Sequence, residues 1–379
     1  MMKTAFVSTM SGLPWGGSEE LWSRSAMRMC GLGHAVACSV AKWDQRHPAI
    51  ENLEACGARM NFRALHKPML RRLTERIFSR NLPRNIDLGT LRWLKSFQPD
   101  LVVISQGGPW EGLSWMNACR EAGHRYAVVV HAHDESWWPL DSWACDLRNG
   151  LEAAESVYFV SNANLRLMEL QCGMELVNAE VISNPWNVAH EFELADLDAG
   201  GTVRFACVGR LDPRAKGQDL VLQLMAMRKW KGRDVEVNFH GTGPYLNNLE
   251  RMAKMCGAAN VNFIGQTEDV RGIWEHHHGL LMASRYEGLP LAIVEAQLCG
   301  RIVVATDVAG ISEHVRDGVD GFIAEAPTIR HLDAALERSW QVRGDWSMMG
   351  KASRERLKST IPQDPVGDFV MKLGKLVAA

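Results

Sequence analysis

Nothing in the sequence approaches the ~18 consecutive apolar residues of a membrane-spanning helix; apolar runs such as 127–130 and 302–305 are strand-sized. Residues 1–10 hold a single Lys and no long apolar stretch, so a first strand is expected there and not a signal peptide. No C-x-x-C occurs among the nine Cys, their number is odd, and no two are close in sequence. Such thiols are expected reduced and mostly buried, as in the cytoplasm. Net charge is also nearly missing: 42 Lys+Arg stand against 44 Asp+Glu, leaving −2. A chain so balanced is not built as a whole around nucleic acid or another polyanion. No internal repeat or low-complexity tract breaks it up. With 46% hydrophobic and 23% charged residues, a disordered chain, a collagen-like fibre and a small disulfide scaffold are all excluded.

What remains is 379 residues, more than the roughly 250–300 at which one core stops growing. Short β-type runs alternate with helical stretches, which predicts parallel sheets. Strands are expected at 4–8, 34–40, 101–105, 126–130, 156–160 and 180–182, with helices at 19–30, 110–121, 144–154 and 164–170 between them. Asn184-Pro185 breaks the rhythm, and the acidic stretch 188–201, ending in two Gly, suits a linker. The rhythm restarts with strands at 204–209, 235–240, 261–264, 280–283 and 302–305, each leading into a helix. Pro362 and Pro365 precede a last helix at 366–377. The expected fold is α/β: two doubly wound Rossmann-like domains facing a cleft, residues 1–187 and 188–361, with 362–379 a helix crossing back to the first. Ligands in such sheets bind at the carboxyl ends of the strands. Ten of the 14 Trp precede residue 190. Most are expected in the core; Trp137 and Trp138, after a His/Asp/Glu cluster, could also stack on an apolar or sugar face.

Three loops carry chemistry. In Gly209-Arg210-Leu211-Asp212-Pro213-Arg214-Ala215-Lys216-Gly217, two cations and free backbone N–H groups follow a strand, which suits an anion as well as an ordinary polar turn. In Ser284-Arg285-Tyr286-Glu287-Gly288-Leu289-Pro290, continuing to Glu295, Gly288 and Leu289 lead the backbone closely into a helix start. Two Glu at such a helix end suit its dipole on their own. The pair with the Gly and the Pro asks for more, and Glu295 suits the vicinal diol of a ribose. The third loop, His131-Ala132-His133-Asp134-Glu135, follows a strand at its carboxyl end. Gly241-Thr242-Gly243 has Leu246 where a dinucleotide fingerprint needs a third Gly, so a turn near a nucleobase fits better. No D-x-D stands in a cleft loop, and His276-His277-His278, pointing in different directions, reads poorly as a metal site.

Together Arg210, Lys216, Glu287, Glu295, Gly265, Ser284-Arg285 and Asp317-Gly318-x-x-Gly321-Phe322 resemble the C-terminal half of glycosyltransferase family 4, the retaining nucleotide-sugar transferases of GT-B fold. Pro14-x-Gly16-Gly17-x-Glu19 and Gly33-His34-x-Val36 match the family's opening more weakly. The resemblance implies a UDP- or GDP-sugar donor, with Arg210 and Lys216 on its diphosphate and Glu295 on its ribose. Glu287 would touch the transferred sugar, Gly241, Gly265, Gly288 and Leu289 would approach the nucleotide, and Gly16-Gly17 would offer an N–H to the diphosphate. His133 matches the family's sugar-contacting His better than His131. No cofactor and no metal are implied; charge on the leaving diphosphate would meet Arg210, Lys216 and the helix end. A saccharide, a lipid-linked molecule or a small hydroxyl compound is expected as acceptor. Residues 63–95 hold nine Lys/Arg, with Arg72, Arg76, Arg80 and Arg84 recurring every four residues beside Leu70, Leu73 and Ile77. That is a solvated helix face or a docking stripe for anionic lipid or a diphosphate-linked acceptor, which would place a cytoplasmic enzyme at the membrane's inner face. The competing functions are a GT-B sugar-nucleotide epimerase and a non-catalytic sugar-nucleotide binding module.

Overall fold

The computed structural model describes residues 1–10, 12, 14–44, 46–64, 88–108, 110–191, 194–197 and 200–378. The expected strand runs become parallel strands of two sheets. In the first, β1 (Lys3–Ser8), β2 (Ala35–Ala41), β3 (Arg59–Arg63), β4 (Leu101–Gln106), β5 (Tyr126–Val130), β6 (Ser156–Phe159) and β7 (Ala179–Val181) lie in the order β3-β2-β1-β4-β5-β6-β7. In the second, β8 (Val203–Val208), β9 (Val235–His240), β10 (Val261–Gly265), β11 (Gly279–Met282), β12 (Ile302–Thr306) and β13 (Phe322–Ala324) lie in the order β10-β9-β8-β11-β12-β13. Central strands read as unbroken apolar runs because helices cover both faces. Along β4, Val102 and Ile104 join one core cluster while Leu101 and Val103 join the other. In each sheet the strand order reverses once, between β1 and β4 and between β8 and β11. Those reversals open the crevices where doubly wound sheets take ligands.

The helix Pro48–Ala55, the strand β3 and the helix Leu88–Phe97 were not among the expected elements. Strand β3 is an edge strand, only partly buried, so its sequence Arg-Met-Asn-Phe-Arg shows no apolar run. The helix before it is two turns long and is started by Pro48 after the capping side chain of His47. The arginines 72, 76, 80 and 84, with Leu70, Leu73 and Ile77, lie outside the described residues.

The chain divides into two compact units, Met1–Pro185 with Asp364–Ala379, and Trp186–Gln363. The stretch expected as a linker is largely tied to the second unit. Glu191 pairs with Lys358 at 2.5 Å, Asp196 with Lys351 at 2.8 Å, and the Ala195 carbonyl accepts from Arg301 at 3.0 Å. Its described acidic residues, Glu191 and Asp196, are therefore spent on ion pairs. The helix Pro365–Ala378 packs within the first unit on Gly17–Gly31, burying Val366, Phe369, Val370 and Leu373. Among the described residues, no helix is long and apolar enough to cross a membrane.

Candidate functional site

In the second unit, the loops at the carboxyl ends of β8, β9, β10 and β11 are laced together through the backbone. Gly209 N–H donates to His240 O, Leu211 N–H to Thr242 O, Gly241 N–H to Gly265 O, and Arg285 N–H to Ala215 O, at 2.7–3.0 Å. The lacing needs glycine at two points. A Cβ on Gly217, whose φ is +63°, would stand 1.9 Å from Ala283 O, and one on Gly241, at φ +148°, 2.1 Å from Gly209 O. The loops after β8 and β11 thereby meet at the reversal of strand order. Lys216 Nζ lies 2.5 Å from Glu287 Oε1, and Ser284 Oγ donates to the same oxygen at 2.8 Å. Arg210 pairs with buried Asp212 at 3.0 Å, its carbonyl accepts from Gln218 at 2.8 Å, and its side chain stays one-third exposed. Arg285 is held by Asp219 through two bonds of 2.7 and 2.9 Å.

The helix Leu291–Leu298 begins right after Pro290 and is buried on nearly every side. Glu287 and Glu295 are both buried, but they have different partners. Glu295 Oε1 accepts from the backbone and side-chain nitrogens of Asn187 at 3.0 and 3.1 Å. Gly288 and Leu289 bridge Glu287 to the helix, and the Gly288 carbonyl accepts from Gly310 N–H at 3.1 Å. The structure thus gathers Arg210, Lys216, Glu287 and Gly241 at one end of the sheet, with Gly265 bonded to Gly241.

The first unit collects its candidates in the same way. Gly16 and Gly17 begin the helix Gly17–Gly31 after β1, and His131 and His133 follow β5. His131 Nε2 lies 3.1 Å from Ser105 Oγ on β4. His133 Nδ1 accepts from Asp134 N–H at 3.0 Å, so the proton of its neutral ring sits on Nε2, which is buried and has no hydrogen-bond partner among the described residues. Trp110 stands edge-on to the His133 ring at 6.0 Å, and Trp137 lies 6.5 Å away. Burial pushes both histidines down to about 4, against the Asn184 hydrogen bond at His131 and the Asp134 charge at His133. Glu19, in the first turn of Gly17–Gly31, is pushed up to about 7 by burial, opposed by hydrogen bonds from Ser8 and Trp22 and by the charge of Arg63.

Residues 202–341 match the family model "Glycosyl transferases group 1". They form a group 1 glycosyltransferase domain. Over 330 residues the chain is 26% identical to a GDP-mannose-dependent alpha-(1-6)-phosphatidylinositol monomannoside mannosyltransferase of Mycolicibacterium smegmatis, covering 80% of each. It is 30% identical over 157 residues to a glycogen synthase of Pseudomonas syringae pv. syringae, covering 41% of this chain and 32% of that one. The chain therefore spans most of the mannosyltransferase and about a third of the glycogen synthase. Among solved structures, Anabaena Alr3699/HepE in complex with UDP-glucose superposes with a TM-score of 0.75 at 17% identity, over 99% of this chain and all of that one. With the two parallel sheets, the fold is GT-B, and the chain is a glycosyltransferase.

Several supporting contacts in this glycosyltransferase had no role assigned from its sequence. Ser284 bonds Glu287, Asn187 bonds Glu295, and Asp212 pairs with both Arg210 and Arg214. Asp212 and Ser284 stand inside the loops 209–217 and 284–290, where their supporting role has a local signal; Asn187 follows Asn184-Pro185 with none. Of the histidine run, His277 uses Nδ1 on Ile273 O and Nε2 on Asn238, while His278 Nδ1 accepts from Arg204 N–H. Each ring nitrogen so engaged is unavailable as a metal ligand.

Proposed function

We propose that the second unit holds a UDP- or GDP-sugar and that the enzyme passes the hexosyl unit, with retention of configuration and without a metal, to a hydroxyl acceptor handled by the first unit. The Lys216–Glu287 contact across the β8/β11 reversal carries this reading. It sets a cation and a carboxylate side by side, where a diphosphate and the hydroxyls of its sugar need opposite partners. Arg210 and Lys216 then bind diphosphate oxygens and stabilise the leaving charge. Glu287 accepts from sugar hydroxyls, Glu295 serves the ribose, and backbone at Gly241, Gly265, Gly288 and Leu289 borders the nucleotide. In the first unit, Gly16 and Gly17 are assigned to diphosphate oxygens and His133, or else His131, to the sugar; the Nε2–H of His133 is a donor for a sugar oxygen. Support for a nucleoside diphosphate comes from the relatives, a GDP-mannose-dependent enzyme and a protein solved with UDP-glucose. The basic stripe of Arg72, Arg76, Arg80 and Arg84 is assigned to peripheral contact with anionic lipid, which should fall with salt.

The test incubates the chain with UDP-glucose and GDP-mannose, with and without EDTA, and follows nucleoside diphosphate release and the anomeric signal of the product. Release from one donor, unaffected by EDTA, with α-donor giving α-product, is expected. Inverted product, loss with EDTA or the absence of any donor turnover would each overturn the corresponding part.

A further inference from the structure

The first unit carries a group of aromatic side chains that the donor chemistry leaves unused. Trp138 is 67% exposed, Leu140 67% and Trp143 50%, within six residues of one another. Water-facing indoles are costly, and clustered ones mark a surface that something covers. The segment is not loose. Gln171 Nε2 donates to the carbonyls of Asp134 and Glu135 at 3.1 and 3.3 Å, Ser136 N–H donates to Asp134 Oδ1 at 2.7 Å, and Trp143 N–H donates to Leu140 O at 2.8 Å. Platforms held this way lose little freedom on binding.

Two observations say what covers it. The segment runs on directly from His133: Trp137 lies beside that ring, and a Cβ on Gly108 would touch the Trp137 indole at 3.6 Å. The exposed indoles therefore follow the His133–Trp137 cluster directly along the chain. The charge pattern is the second. Residues 131–147 contain Asp134, Glu135, Asp141 and Asp146 and no Lys or Arg. Carboxylates repel phosphates and anionic headgroups but accept hydrogen bonds from hydroxyls. Indole faces stack on the C–H face of a pyranose ring. An aromatic segment that carries four carboxylates over residues 131–147, with its first cation at Arg148, matches a neutral saccharide better than an anionic one.

We infer that Trp138 and Trp143, continuing from the Trp110–His133–Trp137 cluster, form a docking platform for the non-reacting sugar rings of a neutral saccharide acceptor. This rests on the glycosyl-transfer reading above, and it narrows the acceptor from any hydroxyl compound to an uncharged glycan of more than one ring.

Gel electrophoresis of the full chain through dextran, yeast mannan and glycogen, without donor, tests the platform separately from turnover. The wild type is expected to be retarded by at least one of the three. Trp138→Ala should weaken that retardation about tenfold, the size of one lost aromatic stack, and Trp138→Phe should restore part of it. An unchanged melting temperature and unchanged nucleoside diphosphate affinity establish that each variant is folded. A wild type that ignores all three polymers overturns the platform, as does retardation indifferent to Trp138→Ala. Trp138-dependent binding to phosphatidylglycerol vesicles in place of the polymers also overturns it, in favour of a lipid surface. Failure of the donor assay with retained, Trp138-dependent glycan binding would instead count against glycosyl transfer and leave the platform standing.

Discussion

Arg210 and Lys216 carry the same charge on the same loop, and the fold employs them differently. Lys216 is in contact with buried Glu287, whereas Arg210 is one-third exposed and shares Asp212 with Arg214. Arg210→Ala should therefore weaken nucleoside diphosphate binding about tenfold or more, the loss of one charge-assisted contact, and leave the melting temperature nearly unchanged. Lys216→Ala should cost a similar factor in affinity and also lower stability, because it strands a carboxylate in a buried place. Calorimetric titration and thermal melting of the two variants separate these outcomes. Equal losses of stability would show that the Lys216–Glu287 contact does not hold in solution.

At the scale of elements, the site depends on backbone touching backbone. The turn after β9 is pressed onto the turn after β8 at Gly241, where φ is +148° and a Cβ would reach Gly209 O at 2.1 Å. Gly241→Ala must strain the turn and push the two loops apart. A cost of about 3 kcal/mol is expected, from the disfavoured backbone and the overpacking together. Urea unfolding should show it, with donor affinity falling as the β8 loop shifts; a variant as stable as the wild type would mean that the loops do not touch. The last helix makes the complementary case in the first unit. Phe369 is fully buried and stands edge-on to Tyr158 at 5.3 Å, while Arg125 donates to Leu376 O. Phe369→Ala should destabilise the first unit by about 3–5 kcal/mol. Nucleoside diphosphate binding by the second unit should persist until the first has unfolded.

For the molecule as a whole, buried titratable groups set an acid limit. His131 and His133 have folded values near 4 against about 6.5 when unfolded, so the unfolded chain takes up their protons first. Their contribution is present above about pH 6.5 and is lost as pH falls toward 4. His124, also lowered by burial, acts in the same direction. Glu19 works the other way: with a folded value about 7 and an ordinary one near 4.5, its contribution is present below 4.5 and lost as pH rises through 7. In the window from about 4.5 to 6.5, His131 and His133 against Glu19 leave a net proton, to which His124 adds a smaller share. The first unit should lose about 1.4 kcal/mol per pH unit on acidification. Glu19→Gln should roughly double that slope and make the protein more stable than wild type at pH 8. Denaturant curves at pH 5, 6, 7 and 8 check this, and an unchanged slope would remove Glu19 from the account.

Periodicity and loop chemistry made the strands, the two-fold repetition of the β/α rhythm and the motif loops legible, because strands buried on both faces must be continuously apolar and β–α loops must hold their own polar groups. The edge strand β3 was not legible, since half-exposure removes the apolar run that announces a strand. Nor were the pairings at the site. Glu287 meets Lys216 across 71 positions and Glu295 meets Asn187 across 108. Such contacts follow from strand order, which crossovers decide and local composition does not record. The tryptophans show the same division. Trp22 is buried and Trp138 two-thirds exposed, although both are the same residue in comparably apolar surroundings. The sequence by itself determined which residues could do the chemistry and on which loops they stand. Only the tertiary structure decided which of them share an oxygen and which face water, because hydropathy measures a side chain's preference while burial depends on what the rest of the chain puts beside it.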